Sequence, residues 1–141
     1  MSNHNARIVA LDIGEKRIGV ASANVVARLA SPLKTLEVSD NIQQDIRQLL
    51  AEQTAVALVI GLPRNLQGDD TNQTRIVREF GKKLSAEVDL PIYWQDEALT
   101  SQVSEEKLKS TNKPYAKGDI DALAASQILE DFLATKQEVS V

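Results

Sequence analysis

The chain has 141 residues, a length that predicts one domain (1–141, core about 7–134) with a substantial core of its own. It has no cysteine and a single histidine, His4, in a polar N-terminal stretch; this excludes disulfide frameworks, thiolate metal sites, cysteine nucleophiles and histidine-based triads. A net charge of −4 excludes a globally basic polyanion binder, so any nucleic-acid surface must be a local patch.

The opening MSNHNAR lacks the apolar stretch of a signal peptide, and no apolar run approaches the ~20 residues that span a bilayer. The expectation is a cytoplasmic protein without a membrane partner. Arg7 to Asp12 is rich in Ile and Val and predicts a strand; Gly14-Glu15-Lys16 predicts a tight turn, and Arg17 to Ala23 the second arm of a hairpin. Leu29 to Val38 reads as a third strand, with Pro32 at its start or edge. Asp40 followed by Gln43 resembles a capping box, and Ile42, Ile46, Leu49 and Leu50 mark one helical face.

Ala55 to Pro63 is a continuous apolar run ended by Gly and Pro, as expected of a strand buried on both faces. RNLQGDD is a loop. Ile76, Val77, Phe80, Leu84 and Val88 predict an amphipathic helix. LPIYW then leads into QDEALT as a further strand; Tyr93 and Trp94 could stack on bases, but on a central strand they are expected in the core. Thr100 or Ser101 could cap a helix through Leu108, and Asp119 to about Ala134 predicts the last helix. The implied class is α/β: a mixed central sheet of about five strands, an antiparallel meander followed by parallel strands, flanked by helices.

The chemistry must then rest on acids. Asp12 ends the first strand, and Asp96 with Glu97 ends the last. Sites in open α/β sheets collect outside the carboxyl ends of strands, although each acid alone reads as readily as a turn or cap residue. The last helix adds Asp121, which lies three and four residues before Ala124 and Ala125 on the apolar stripe continued by Ile128 and Phe132. Its alternative reading is a first-turn acid that complements the helix dipole. Asp119, after Gly118, is the expected N-cap. Three carboxylates ~5 Å apart repel by about 3 kcal/mol per pair at an effective dielectric of ~20, and a cation relieves this. Oxygen ligands alone suit Mg²⁺ or Mn²⁺, which can assist an in-line phosphoryl displacement. Without the ion, removing the charge of Asp121 is expected to leave stability unchanged or raised.

LDIGEKRIGVASA, ASPLKT, VIGLPRNLQG, DEALTS and DALAASQIL occur in the order seen in the YqgF/RuvX family, which the chain resembles from roughly Arg7 to Leu133. The resemblance implies an RNase H-like fold and a nuclease, described in that family as Holliday-junction resolvase and as pre-16S rRNA nuclease. It implies Asp12, Glu97 and Asp121 as catalytic and metal-binding residues, for two Mg²⁺ or Mn²⁺ ions, and structured pre-rRNA or branched DNA as the partner of a monomer or homodimer. One position departs from the family pattern: Ala98 stands where Asp-Glu-Arg-Leu-Thr has Arg, which removes a guanidinium able to pair with a carboxylate or phosphate.

Lys16, Asn65, Lys107, Lys109, Lys113 and Lys117 are the candidate nucleic-acid contacts; solvated faces are the equal alternative for the lysine run and for Arg75, Arg78 and Lys82. Two other functions compete. An actin-like sugar kinase or ATPase needs two such lobes and the chain has length for one. A non-catalytic ribosome-assembly protein is favoured by Ala98. If Lys107, Lys109, Lys113 and Lys117 all touch phosphates of a duplex, log affinity falls with log salt at a slope of about −3.6, roughly −0.9 per contact. Replacing all four with Gln should flatten that slope, and an unchanged slope returns them to the solvated face.

Overall fold

Two-residue periodicity sorts the side chains of the sheet onto two faces with different chemistry. The computed structural model describes residues 5–97 and 117–135. The strands are β1 (Arg7–Ile13), β2 (Arg17–Asn24), β3 (Ala30–Glu37), β4 (Ala55–Leu62) and β5 (Ile92–Asp96); the helices are α1 (Ile42–Glu52), α2 (Asn72–Ser85) and α3 (Lys117–Thr135). The sheet order is β3-β2-β1-β4-β5, with β1, β2 and β3 antiparallel and β4 parallel to both β1 and β5. This is the expected meander followed by parallel strands.

Val9, Leu11, Ile13, Ile18, Val20, Leu58, Ile60 and Leu62 fill one face, packed by Ile42, Ile46, Leu49 and Leu50 of α1 and by Val77 and Leu84 of α2. The opposite face is built of smaller residues: Ile8, Ala10, Ala21, Ala23, Ala57 and Val59 lie under Ala125, Ile128, Leu129 and Phe132 of α3. Small side chains let α3 come close. At Gly19 the approach is complete, since any Cβ there would collide with the backbone carbonyl of Asp121. Phe132 closes the far end, its ring 5.2 Å from that of Tyr93.

Four local expectations are corrected. The N-cap of α1 is Asn41, not Asp40, and no side chain caps it; the Ser39 hydroxyl accepts from the Asn41 amide at 3.2 Å, so a serine turn replaces the Asp40–Gln43 box. α2 starts with a reciprocal Thr71–Thr74 capping box, and the Thr74 hydroxyl also donates to the Pro63 carbonyl, which ties the helix to the end of β4. Its buried line is Thr74, Val77, Gly81 and Leu84, which leaves Ile76 half exposed, and Val88 lies beyond the helix. Tyr93 and Trp94 are on a strand at the end of the described sheet rather than at its centre, each half-buried and packed on a different face. α3 is already helical at Lys117, so Asp119 is inside its first turn and is not the N-cap. Pro32 lies on the outermost strand, β3, where its missing N–H leaves no central ladder unpaired. The expected helix following Thr100 falls outside the described residues.

Gly19→Ala should therefore be destabilising although alanine suits a strand better than glycine. The clash is with backbone, so α3 must lift from the sheet, and a loss of about 1–3 kcal/mol is expected in urea unfolding. Wild-type stability would show that α3 does not rest on β2 at this point.

Candidate active site

Strand alternation carries Asp12 onto the α3 face. It follows Ile8 and Ala10 on β1 and pairs across the hairpin with Gly19. The turn that sets this pairing is closed by Gly14, whose amide donates to the Arg17 carbonyl at 2.9 Å; a Cβ on Gly14 would stand 2.5 Å from that oxygen. Glu97 arrives from the other side. Its amide donates to the Leu62 carbonyl at 3.2 Å, which extends the β4–β5 ladder by one residue beyond Asp96. Gly61 makes room for it: a Cβ there would stand 2.9 Å from the Glu97 carboxyl and would also strike Ile128. Gly61 is thus an interior residue of β4 that admits a side chain, not the stop signal expected from the sequence.

Asp12 and Glu97, 85 positions apart in sequence, meet in a side-chain hydrogen bond. Burial raises both carboxyl groups. Glu97 is pushed up to about 9, by desolvation first and then by the charge and hydrogen bond of Asp12. Asp12 is raised to about 6 by desolvation, with the Glu97 hydrogen bond pulling the other way and the charge of Asp121 adding to the rise. With both groups raised, the pair resists full ionisation at neutral pH, and its titration belongs to the two carboxyl groups together. Glu97 Oε2 is buried without a hydrogen-bond partner.

Asp121 projects from α3 beside Gly19 and feels the same field, but its carboxylate has its own partner. Arg17 Nε donates to Asp121 Oδ2 at 2.8 Å, with about a third of the arginine and a quarter of the aspartate exposed. The repulsion at Asp121 is thus compensated by Arg17, so Asp121→Asn should leave ion-free stability unchanged or lower it by up to about 1 kcal/mol in urea unfolding, and a gain is not expected. Among the described residues, no three of His, Cys, Asp and Glu are grouped closely enough to hold a metal ion as they stand.

Asp96 takes the opposite side of β5. It is exposed and 3.4 Å from Arg64 Nε, which also lies 3.3 Å from Asp70; Arg78 reaches Asp70 at 3.4 Å. Of the neighbouring acids only Glu97 enters the site. Lys16 is exposed in the β1–β2 turn. The Asn65 side-chain oxygen accepts from the amides of Gln67 and Asp69 at 3.0 and 2.8 Å, so it shapes its own loop. Lys107, Lys109, Lys113 and Ala98 lie outside the described residues. Arg17, Gly19, Gly61 and Arg64 were not anticipated. A glycine inside a strand pattern was the available signal for two of them; nothing local distinguishes Arg17 or Arg64.

An α/β sheet of order 3-2-1-4-5, an antiparallel meander followed by parallel strands and flanked by helices, is an RNase H-like fold. The chain belongs to the RuvX family: the family model described as "RuvX: Holliday junction resolvase" matches residues 6–135. A Roseiflexus sp. (strain RS-1) protein named "Putative pre-16S rRNA nuclease" is 38% identical over 97% of this chain and 100% of its own length. One of the same name from Crocosphaera subtropica is 43% identical over 87% of this chain and 89% of its own. Thermus thermophilus RuvC, solved with a Holliday junction substrate, shares the fold at 14% identity with a TM-score of 0.60, covering 95% of this chain and 99% of that one. The fowlpox virus resolvase, solved with junction DNA, shares it at 11% identity with a TM-score of 0.54 over 90% and 98%. Among the described residues no helix is long and apolar enough to cross a membrane.

The proton on Glu97 has a thermodynamic consequence. Its folded-state pKa of about 9 lies above the ordinary 4.5, so the contribution is full below about pH 4.5 and is lost as pH rises toward 9. Through that window the folded protein keeps a proton that the unfolded chain has released. Metal-free stability should fall as pH rises from 5 to 8, with Asp12 adding to the fall up to about pH 6 and a limiting slope of about 1.4 kcal/mol per pH unit for the one proton of Glu97 above that. Glu97→Gln should flatten the slope in urea unfolding with chelator present; an unchanged slope would assign the pH dependence to another group.

Proposed function

We propose that the chain is one RNase H-like nuclease domain that hydrolyses phosphodiester bonds in structured nucleic acid with the help of a divalent ion, and that its substrate is the 5′ end of pre-16S rRNA in the cytoplasm. The observation that carries this is the Asp12–Glu97 pair, two partly buried carboxyl groups brought together from the ends of β1 and β5, on either side of β4, against their mutual repulsion. Membership of the RuvX family and relatives named for pre-16S rRNA support the reaction class and the substrate.

The donor set fits Mg²⁺ or Mn²⁺, singly or as a pair. It is all oxygen, it holds an unpartnered buried Oε2 on Glu97, and its acids resist full ionisation in the ion's absence. Asp12 and Glu97 would hold the ion, with Asp121 completing the set. When bound, the ion supplies a Lewis acid for the phosphoryl oxygen and lowers the pKa of water. Asp12 and Glu97 are positioned by the ladder hydrogen bonds of β1, β4 and β5, so little reorganisation is asked of their backbones. Glu97 must give up its proton to act as a charged ligand, which couples ion binding to proton release. Lys16, in the turn beside Asp12, and the side-chain Nδ2 of Asn65 are candidates for a backbone phosphate; Lys107, Lys109, Lys113 and Lys117 extend the basic sequence between Glu97 and Asp121.

Cleavage of branched DNA is the second reading, favoured by the family description and by a fold shared with resolvases. Asp12→Asn keeps the shape and removes the charge. With Mn²⁺ supplied, it should lower cleavage at least a hundredfold on a pre-16S rRNA fragment, with circular dichroism unchanged, and chelator should do the same to wild type. Cleavage of a four-way DNA junction in preference to that RNA would establish the second reading. Full activity in a folded Asp12→Asn protein would remove Asp12 from the chemistry.

A further inference from the structure

The Arg17–Asp121 pair spans 104 positions of sequence and joins two backbones that are each fixed. Arg17 opens β2, where it pairs with Glu37 of β3 and its carbonyl closes the turn through Gly14. Asp121 is seated by its own carbonyl against Gly19. The guanidinium and the carboxylate are therefore the parts free to move, and both remain partly open to solvent. Asp121 is a neighbour of the Asp12–Glu97 pair, yet its oxygen is turned to arginine.

We propose that Arg17 is a positioning residue that competes with the divalent ion for Asp121, holding this carboxylate in the ion-free protein and releasing it when the ion enters. The inference rests on reading Asp121 as a ligand of that ion. A guanidinium and a dication on one carboxylate repel each other, so binding of the ion weakens the arginine's hold, and the arginine lowers affinity for the ion. The exchange accounts for the ion-free state: Asp12 and Glu97 share a hydrogen bond, and Arg17 serves Asp121 beside them.

The test is Mn²⁺ binding by calorimetry to the full chain without nucleic acid, in wild type, Arg17→Gln, Arg17→Lys, Asp121→Asn and the Arg17→Gln/Asp121→Asn double variant. Arg17→Gln should tighten Mn²⁺ about tenfold and Asp121→Asn should weaken it. In the Asp121→Asn background the effect of Arg17→Gln should largely vanish. Arg17→Lys keeps the charge and should stay within about threefold of wild type. A purely structural arginine would instead lose Mn²⁺ affinity and melting temperature together in Arg17→Gln. Should Arg17→Gln fail to fold, the wild-type protein still decides: the ¹⁵N-edited Arg17 Nε–H signal should shift and exchange faster with solvent at Mg²⁺ saturation. A signal indifferent to saturating Mg²⁺, or Mn²⁺ affinity unchanged in folded Arg17→Gln, overturns the inference while leaving the metal reading intact. No Mn²⁺ binding by wild type overturns both.

Discussion

The close seating of α3 on the sheet is the constraint from which the site follows. An α-helix packed on a sheet through large side chains would hold Asp121 away from the strands. Here the sheet face under α3 is alanine-rich, the helix answers with Ala122, Ala124 and Ala125, and Gly19 accepts its backbone directly. Small residues on both sides exchange side-chain burial for proximity. Larger groups, Ile128, Leu129 and Phe132, supply apolar packing further along the helix. The other face, thick with Leu, Ile and Val under α1 and α2, gives the sheet the rigidity that a strand-end site needs.

That proximity creates an electrostatic problem which the fold meets in two ways. Desolvation raises both Asp12 and Glu97, so the pair resists being ionised together, and a proton held between them would remove one charge. Asp121 is more open and is met by a guanidinium. Both solutions are reversible: protons exchange rapidly, and a partly exposed ion pair is held by little free energy. A buried arginine locked into several hydrogen bonds would have neutralised the acids more firmly and left no opening for another cation.

The two faces of β5 keep adjacent acids apart. Glu97 turns toward α3, whereas Asp96 turns outward to Arg64, in a network continued through Asp70 to Arg78 on α2. The Thr71–Thr74 cap and its bond to the Pro63 carbonyl fasten the start of α2 to the end of β4. The loop between them is ordered further by Asn65, which accepts from two of its backbone amides. These contacts brace the strand ends on which Asp12 and Glu97 sit, from the side opposite the site.

Local pattern alone carried much of this. Runs such as Ile8–Leu11 and Ala55–Leu62 mark strands because apolar content and β-branching act on neighbouring residues, and the spacing of Asp121 from Ala124, Ala125 and Ile128 placed its face of α3 even though the helix starts earlier than Asp119 suggested. Caps were less legible: Asp40 and Thr71 offer similar side-chain acceptors, and only the path of the entering chain decides which one meets an amide. The contacts across the sheet lay beyond sequence. Arg17 and Asp121 are 104 positions apart, and no local rule assigns a guanidinium a partner at that distance. The sequence by itself determined the elements, the candidate acids and the family, because periodicity and motifs are properties of adjacent residues. Only the tertiary structure decided which acid of the Asp96–Glu97 pair faces inward, what compensates each carboxylate, and why Gly19 and Gly61 are glycine, because burial and charge depend on what other strands and helices bring to the same few ångströms.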